Sequence, residues 1–312
     1  MPGNKIVLGT RGSELARAQT RLVEQALRNA WPDVAIETRV IKTSGDKSPN
    51  EMLSPRAGRK GLFTREIEEA LLRSEIDLGV HSAKDLPSAC PSDVEICAAL
   101  PRANVEDVLA IKTGTTLDTL APEAKVATGS VRRKHQLLWK RPDLRIVDLR
   151  GNVPTRLRKL MENDWDGVVL ARAGLERLDY DLSGRSLDFE GRSLAVEYLQ
   201  SPDFLPAGGQ GVIALEMRLG DAVTGVYARA ISHLPSFSCL RAEREFLRLL
   251  QVDCNAPVGV LATIESGMMI LRAQVFSESA NEPKTGEARF SLEQHQPEAI
   301  AVSLHAIVYG QV

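Results

Sequence analysis

Val126-Ala127-Thr128-Gly129-Ser130-Val131-Arg132-Arg133-Lys134 reads as a short apolar strand, a Gly-Ser turn and the opening of a helix that continues through Leu137, Leu138 and Trp139. The same order follows at once. Arg145 to Leu149 reads as a strand, Arg150-Gly151-Asn152 as a turn, and Val153 to Leu160 as a helix with Asn152 at the N-cap and Pro154 in the first turn. It also opens the chain, where Lys5-Ile6-Val7-Leu8-Gly9 leads through Thr10-Arg11-Gly12-Ser13 into Leu15, Ala18, Leu22 and Ala26 at helical spacing, with Ser13 as N-cap. Repeated strand-turn-helix units predict an α/β fold with largely parallel sheets. Ligand sites in such folds gather at the carboxyl ends of the strands.

Outward from these units, the pattern predicts a helix over Thr64 to Leu72 and strands near 76–80, 94–98, 107–111, 167–171 and 212–216. Residues 43–60 carry neither period and are rich in Gly, Pro and Ser, which predicts either a disordered segment or a lid over a site. The Pro- and Gly-punctuated stretches 101–106 and 204–211 read as crossings between domains. Beyond them a helix near Leu240 to Leu250, strands near 258–264 and 268–275 and a final helix after Glu298 predict a small α+β domain.

The chain has 312 residues, 43% hydrophobic, 26% charged and 4% aromatic, which predicts two or three domains with real cores. No run approaches the ~18 apolar residues of a membrane span, and the N-terminus lacks the build of a signal peptide, so a cytoplasmic protein without a membrane partner is expected. Cysteines at 90, 97, 239 and 254 show no CxxC spacing, and five scattered histidines discourage a metal site.

The net charge of -2 conceals 28 Arg against 11 Lys, and residues 132–177 hold twelve positive charges against six negative. Arginine's planar fork pairs two-pronged with carboxylate or phosphate. Arg141, Arg145 and Arg158 fit a solvated helix face, but Arg132, Arg133 and Arg150 stand at helix starts, where positive charge is unfavourable without an anion. In His81-Ser82-Ala83-Lys84-Asp85-Leu86-Pro87, at the carboxyl end of a strand, Asp85 is a candidate to accept N–H bonds, stabilise a cation or move a proton. Cys254 differs from the other three cysteines because its Gly- and Pro-flanked loop, Val252 to Gly259, can expose a thiol.

Taken in order, Gly9-Thr10-Arg11-Gly12-Ser13, Lys60-Gly61-Leu62-Phe63, His81 to Pro87, Ser130-Val131-Arg132-Arg133, Leu149 to Val153, Pro206 to Gly211 and Cys254-Asn255-Ala256-Pro257-Val258-Gly259 strongly resemble the porphobilinogen deaminase (hydroxymethylbilane synthase) family. The resemblance implies a transferase that condenses four porphobilinogen molecules, pyrroles bearing acetate and propionate, into a linear tetrapyrrole with loss of ammonia. It implies a dipyrromethane cofactor, thioether-linked to Cys254, on which the chain grows, and a catalytic Asp85. It also implies ligand contacts from Arg11, Ser13, Lys84, Ser130, Arg132, Arg133, Arg150, Arg156 and Arg177, and a lid containing Lys60 and Phe63. The implied fold has two α/β domains like those of periplasmic binding proteins flanking a cleft, plus a small α+β domain carrying the cysteine. Its expected bounds are 1–101 plus 206–224, then 106–204, then 226–312, in a monomer with no metal and no nucleic-acid partner. Arg59, Gly129 and Arg172 depart from the family pattern, and residues 181–204 look long. Rival readings are a carboxylate-binding module without cysteine chemistry and a nucleic-acid binder using 132–145, the latter disfavoured by net charge and few aromatics.

Overall fold

A computed structural model describes residues 5–43, 64–112, 114–252, 256–277 and 282–310. The chain divides into two compact units, Met1–Ala103 with Val212–Cys254, and Asn104–Gly211 with Asn255–Val312.

In the first unit, β1 (Lys5–Arg11), α1 (Glu14–Ala30), β2 (Ala35–Ile41), α2 (Arg65–Leu72) and β3 (Leu78–Ser82) follow one another, with β1 parallel to both β2 and β3. A 3-10 turn over Ala83–Asp85 leads on to β4 (Val94–Ala99). The second unit begins with β5 (Asp107–Ile111) and repeats the scheme as β6 (Lys125–Ala127), α3 (Val131–Lys140), β7 (Arg145–Val147), α4 (Val153–Glu162), β8 (Gly167–Ala171) and α5 (Arg172–Glu176). It adds the hairpin β9 (Ser186–Phe189) and β10 (Arg192–Leu199), which contains most of the 181–204 stretch. The chain re-enters the first unit as β11 (Ile213–Arg218), followed by α6 (Ala222–Ala230) and α7 (Leu234–Leu249).

The strand orders are β2-β1-β3-β11-β4 and β7-β6-β8-β5-β10-β9, so the two sheets share one topology apart from the extra edge strand. Both are largely parallel, as expected, but each is interrupted by reversed strands. β11 runs antiparallel to β3 and β4, and β5 antiparallel to β8 and β10. Each is the first strand after the chain changes unit, so it enters its sheet without the helical crossover that parallel pairing requires. The three-stranded sheet β12 (Val258–Glu265), β13 (Met268–Val275) and β14 (Lys284–Ser291), with α8 (Pro297–Tyr309), is antiparallel throughout and belongs to the second unit.

Both main sheets are covered on two faces. On β5, Val108 and Ala110 join a core with Leu157, Leu160, Val168 and Leu170, while Leu109 and Ile111 face Val126, Leu137 and Val169. In the first unit Ile6, Leu8, Val23, Leu27, Leu78 and Leu215 form the corresponding core. Such burial explains why these strands read as unbroken apolar runs. The turns after β1, β3, β6, β7 and β8 carry most of the residues singled out in the sequence. No described helix is long and apolar enough to cross a membrane.

Candidate functional site

In the first unit, Ser13 caps α1, its hydroxyl accepting from the Ala16 N–H at 3.3 Å. This fixes the turn so that Arg11, at the end of β1, opens into a cavity of about 60 Å³ with Ser13, Gln19, His81, Ser82 and Asp85. Asp85 is exposed, and the Gln19 side-chain amide and the Ser82 hydroxyl face each other, with Gln19 Nε2 donating to the hydroxyl at 2.8 Å and Oε1 accepting from it at 3.0 Å. An exposed carboxylate beside an arginine and a helix N-terminus offers both an acceptor for N–H groups and donors for acids. Lys84 stands next to Asp85 on the same turn. Arg59, Lys60, Phe63 and Cys254 lie outside the described residues. The chain leading to Cys254 is tied down, however, since the Ser88 hydroxyl donates to the Val252 carbonyl at 3.1 Å.

In the second unit Ser130 caps α3, accepting from the Arg133 N–H at 3.4 Å, and Asn152 caps α4, accepting from the Thr155 N–H at 2.9 Å. The anion that the sequence demands at the start of α3 is supplied by the chain itself. Arg132 and Arg133 are 4% and 7% exposed and share the buried carboxylate of Asp107, with N···O distances of 2.9 and 2.6 Å. Arg132 also donates to the Leu205 carbonyl, Arg133 to the Val169 carbonyl, and Gln210 to Asp107 at 2.9 Å. Burial works against the charge on Asp107, but Arg132 and Arg133 outweigh it and hold its carboxyl well below the ordinary range. Two guanidiniums against one carboxylate leave this cluster one positive charge in excess.

Asp107 is a residue the sequence reading passed over. Its only signal is an acid at the head of the fully apolar run Val108 to Ile111. Replacing Asp107 by alanine is expected to destabilise the fold by about 3–5 kcal/mol, because two buried cations lose their partner, as measured by urea unfolding. With its carboxyl depressed below the unfolded value near 3.9, the wild-type contribution is complete above about pH 4. It is lost as pH falls further, through the folded value.

Arg150 and Arg156 differ from that pair. Arg150 is exposed and reaches Asp148 at 3.3 Å, and Arg156 donates from Nε to the Gly151 carbonyl at 2.7 Å. Arg177 follows α5 and donates to the Gly211 carbonyl at 2.6 Å, with burial lowering its pKa to about 10. Arg145 and Arg158 pair with Glu123 and Glu190 at the surface, as expected of them, whereas Arg141 is half-buried and donates to the Leu117 and Leu120 carbonyls as well as pairing with Asp143. Arg172 lies over the Tyr198 ring and bonds Glu176 at 2.7 Å. Gly129 also has a local reason, since a Cβ there would run into the Leu149 carbonyl oxygen. Gly129→Ser is expected to cost about 1–3 kcal/mol of stability, measurable as a lowered unfolding midpoint.

Fold and turns together define an α/β protein that presents a carboxylate, arginines and capped helix starts at the carboxyl ends of its strands. Residues 6–225 match the family "Porphobilinogen deaminase, dipyromethane cofactor binding domain", and residues 237–308 match "Porphobilinogen deaminase, C-terminal domain". A porphobilinogen deaminase of Moorella thermoacetica is 45% identical over 88% of this chain and 83% of its own. One of Thermus thermophilus is 46% identical over 83% of this chain and 81% of its own. The chain belongs to the porphobilinogen deaminase family. The activity of that family is hydroxymethylbilane synthase, a transferase acting on porphobilinogen in tetrapyrrole biosynthesis. Among solved structures, the methionine binding protein MetQ covers 73% of this chain and 90% of its own at 12% identity and a TM-score of 0.46, too loose a likeness to carry an argument.

Proposed function

We propose that Asp85 is the catalytic carboxylate of this transferase and that Cys254 holds its dipyrromethane through a thioether. The observation that carries the reading is the cavity into which Arg11, Ser13 and Asp85 open from the ends of β1 and β3. Pyrroles of this class present ring N–H groups together with acetate and propionate. Asp85 suits the N–H groups, and Arg11 with the N-terminus of α1 suits the acids, so the residues present fit the cofactor as well as the substrate. When bound, dipyrromethane supplies the pyrrole carbon to which substrate units are joined.

As ammonia leaves the substrate, cationic character develops on its methylene carbon. A carboxylate already fixed nearby gains attraction as that charge grows, without reorganising. Asp85 would do this from a short turn at the end of a buried strand. Lys84 and Ser13 add polar contacts, and Lys60 and Phe63 belong to the lid.

Cysteine chemistry supports Cys254 in the attachment role. Burial pushes the thiols of Cys97 and Cys239 up to about 12 and raises that of Cys90, which makes all three poor nucleophiles. The Ser88 bond to Val252 anchors the cysteine loop three residues after Asp85 and two before Cys254.

In the second unit Ser130, Arg150, Arg156 and Arg177 bind carboxylates of the lengthening chain, and Arg132 and Arg133 contribute the excess charge of their cluster. Arg150 has the most accessible guanidinium of these. Arg150→Ala is expected to slow turnover by about 10- to 100-fold, consistent with loss of a charged hydrogen bond worth ~1.5–3 kcal/mol. Intact-mass spectra should show incomplete chains retained on the protein, and wild-type turnover with no retained chains would contradict the role. The reading includes a monomer in the cytoplasm, and domain limits of 1–101 with 206–224, 106–204 and 226–312 remain part of it.

A further inference from the structure

Glu216, on β11, is fully buried, and neither of its carboxylate oxygens has a hydrogen-bond partner among the described residues. A buried carboxylate with no well-aligned hydrogen bond is strongly unfavourable, so its presence points to a task other than stability. What meets it is the imidazole of His81, whose Nε2 lies 3.2 Å from Oε2, with the two side chains 4% and 1% exposed.

The strand register explains how they meet. On the paired strands Ala214 stands opposite His81 and Glu216 opposite Gly79, so the ring must fold back along its own strand to reach the carboxylate. Gly79 makes this possible, because a Cβ there would lie 2.7 Å from Nε2 of His81. Space rather than backbone conformation is the requirement. The same histidine lines the cavity that holds Arg11 and Asp85.

We propose that His81 accepts the proton released in ring coupling, with Glu216 as the positioning residue that keeps a proton on Nε2 and stabilises the imidazolium. The proposal rests on the reading of the Asp85 cavity as the reaction site. In coupling, the carbon–nitrogen bond of the substrate breaks and its electron pair leaves with ammonia. The acceptor pyrrole carbon bonds the methylene carbon, then its carbon–hydrogen bond breaks and that electron pair restores the ring. The proton passes to Nδ1 of His81, the nitrogen left free to titrate when Nε2 is engaged, and from there to solvent, where ammonia takes it up. Other charges face the pair: Arg11 and Asp85 share its cavity, Glu68 reaches both members from α2, and Arg244 faces Glu216 from α7.

The test uses holoenzyme labelled with 15N-histidine and observed by NMR without substrate, beside the pH profile of kcat. Removing the carboxylate weakens the imidazolium, so Glu216→Gln is expected to move one histidine titration to lower pH by about one unit or more. The acid limb of kcat should move with it. His81→Gln should abolish that resonance and lower kcat by about 100-fold while KM changes little. If Glu216→Gln slows the enzyme with titration and acid limb unmoved, the pair only staples β3 to β11 and the proposal is wrong. The titration comparison decides this even where His81→Gln fails to fold. An active Asp85→Ala beside an inactive His81→Gln would remove the Asp85 reading and leave this one, and the opposite result would do the reverse.

Discussion

Asp85→Ala is expected to leave the protein folded and its dipyrromethane attached, while turnover of porphobilinogen falls by a factor on the order of 10³ or more. The fold should survive because Asp85 is exposed on a three-residue turn held by the backbone bonds of Ala83 to Val212 and Leu86 to Ala83, at 3.0 and 3.2 Å. Its carboxylate contributes nothing to the core that those bonds enclose, where Ala83 and Leu86 are buried. The loss should fall on kcat rather than on KM, since a carboxylate opposite a growing cation binds the transition state better than the ground state. Asp85→Glu tests position as well as charge. The extra methylene keeps the anion but moves it, so activity between the alanine variant and wild type is expected. Near-wild-type turnover by Asp85→Ala would show that another group carries the charge.

Much of this site is legible in the sequence because it is local. Ser13 and Asn152 cap the helices assigned to them, and Ser130 with its two arginines opens a helix. Those signals lie within four or five residues of one another. β2 is harder to see: most of Ala35–Ile41 is exposed or half-buried, and Glu37, Thr38 and Arg39 give it the look of a loop. The direction of β5 and β11 also escapes, because strand polarity depends on where the chain re-enters each unit.

The arginine cluster shows the limit most clearly. The sequence reading expects a bound ligand beside Arg132 and Arg133, and the anion they meet in the fold is a residue of the chain itself. Asp107 arrives on β5, from earlier in the chain, and meets them only in the folded second unit. The His81 and Glu216 pair is hidden in the same way, being created by the register of β3 with β11 and by the space at Gly79. What the sequence does supply is the residue type, and tertiary structure supplies the partner.

The covalent primer proposed for Cys254 carries the largest expected effect, because a transferase of this kind without its attachment point would have nothing to extend. Cys254→Ser is expected to remove turnover entirely while leaving the cores of both units intact, since serine differs from cysteine only at Sγ. The thiols of Cys90, Cys97 and Cys239, raised by burial, are poor substitutes. The deciding measurement is the intact mass of the protein made in a host that produces porphobilinogen. Wild type should be heavier than its sequence by two linked pyrrole units, with the added mass confined to the peptide containing Cys254, and Cys254→Ser should show its sequence mass alone. A folded wild-type protein at its unmodified sequence mass, or an adduct that survives Cys254→Ser, would contradict the assignment.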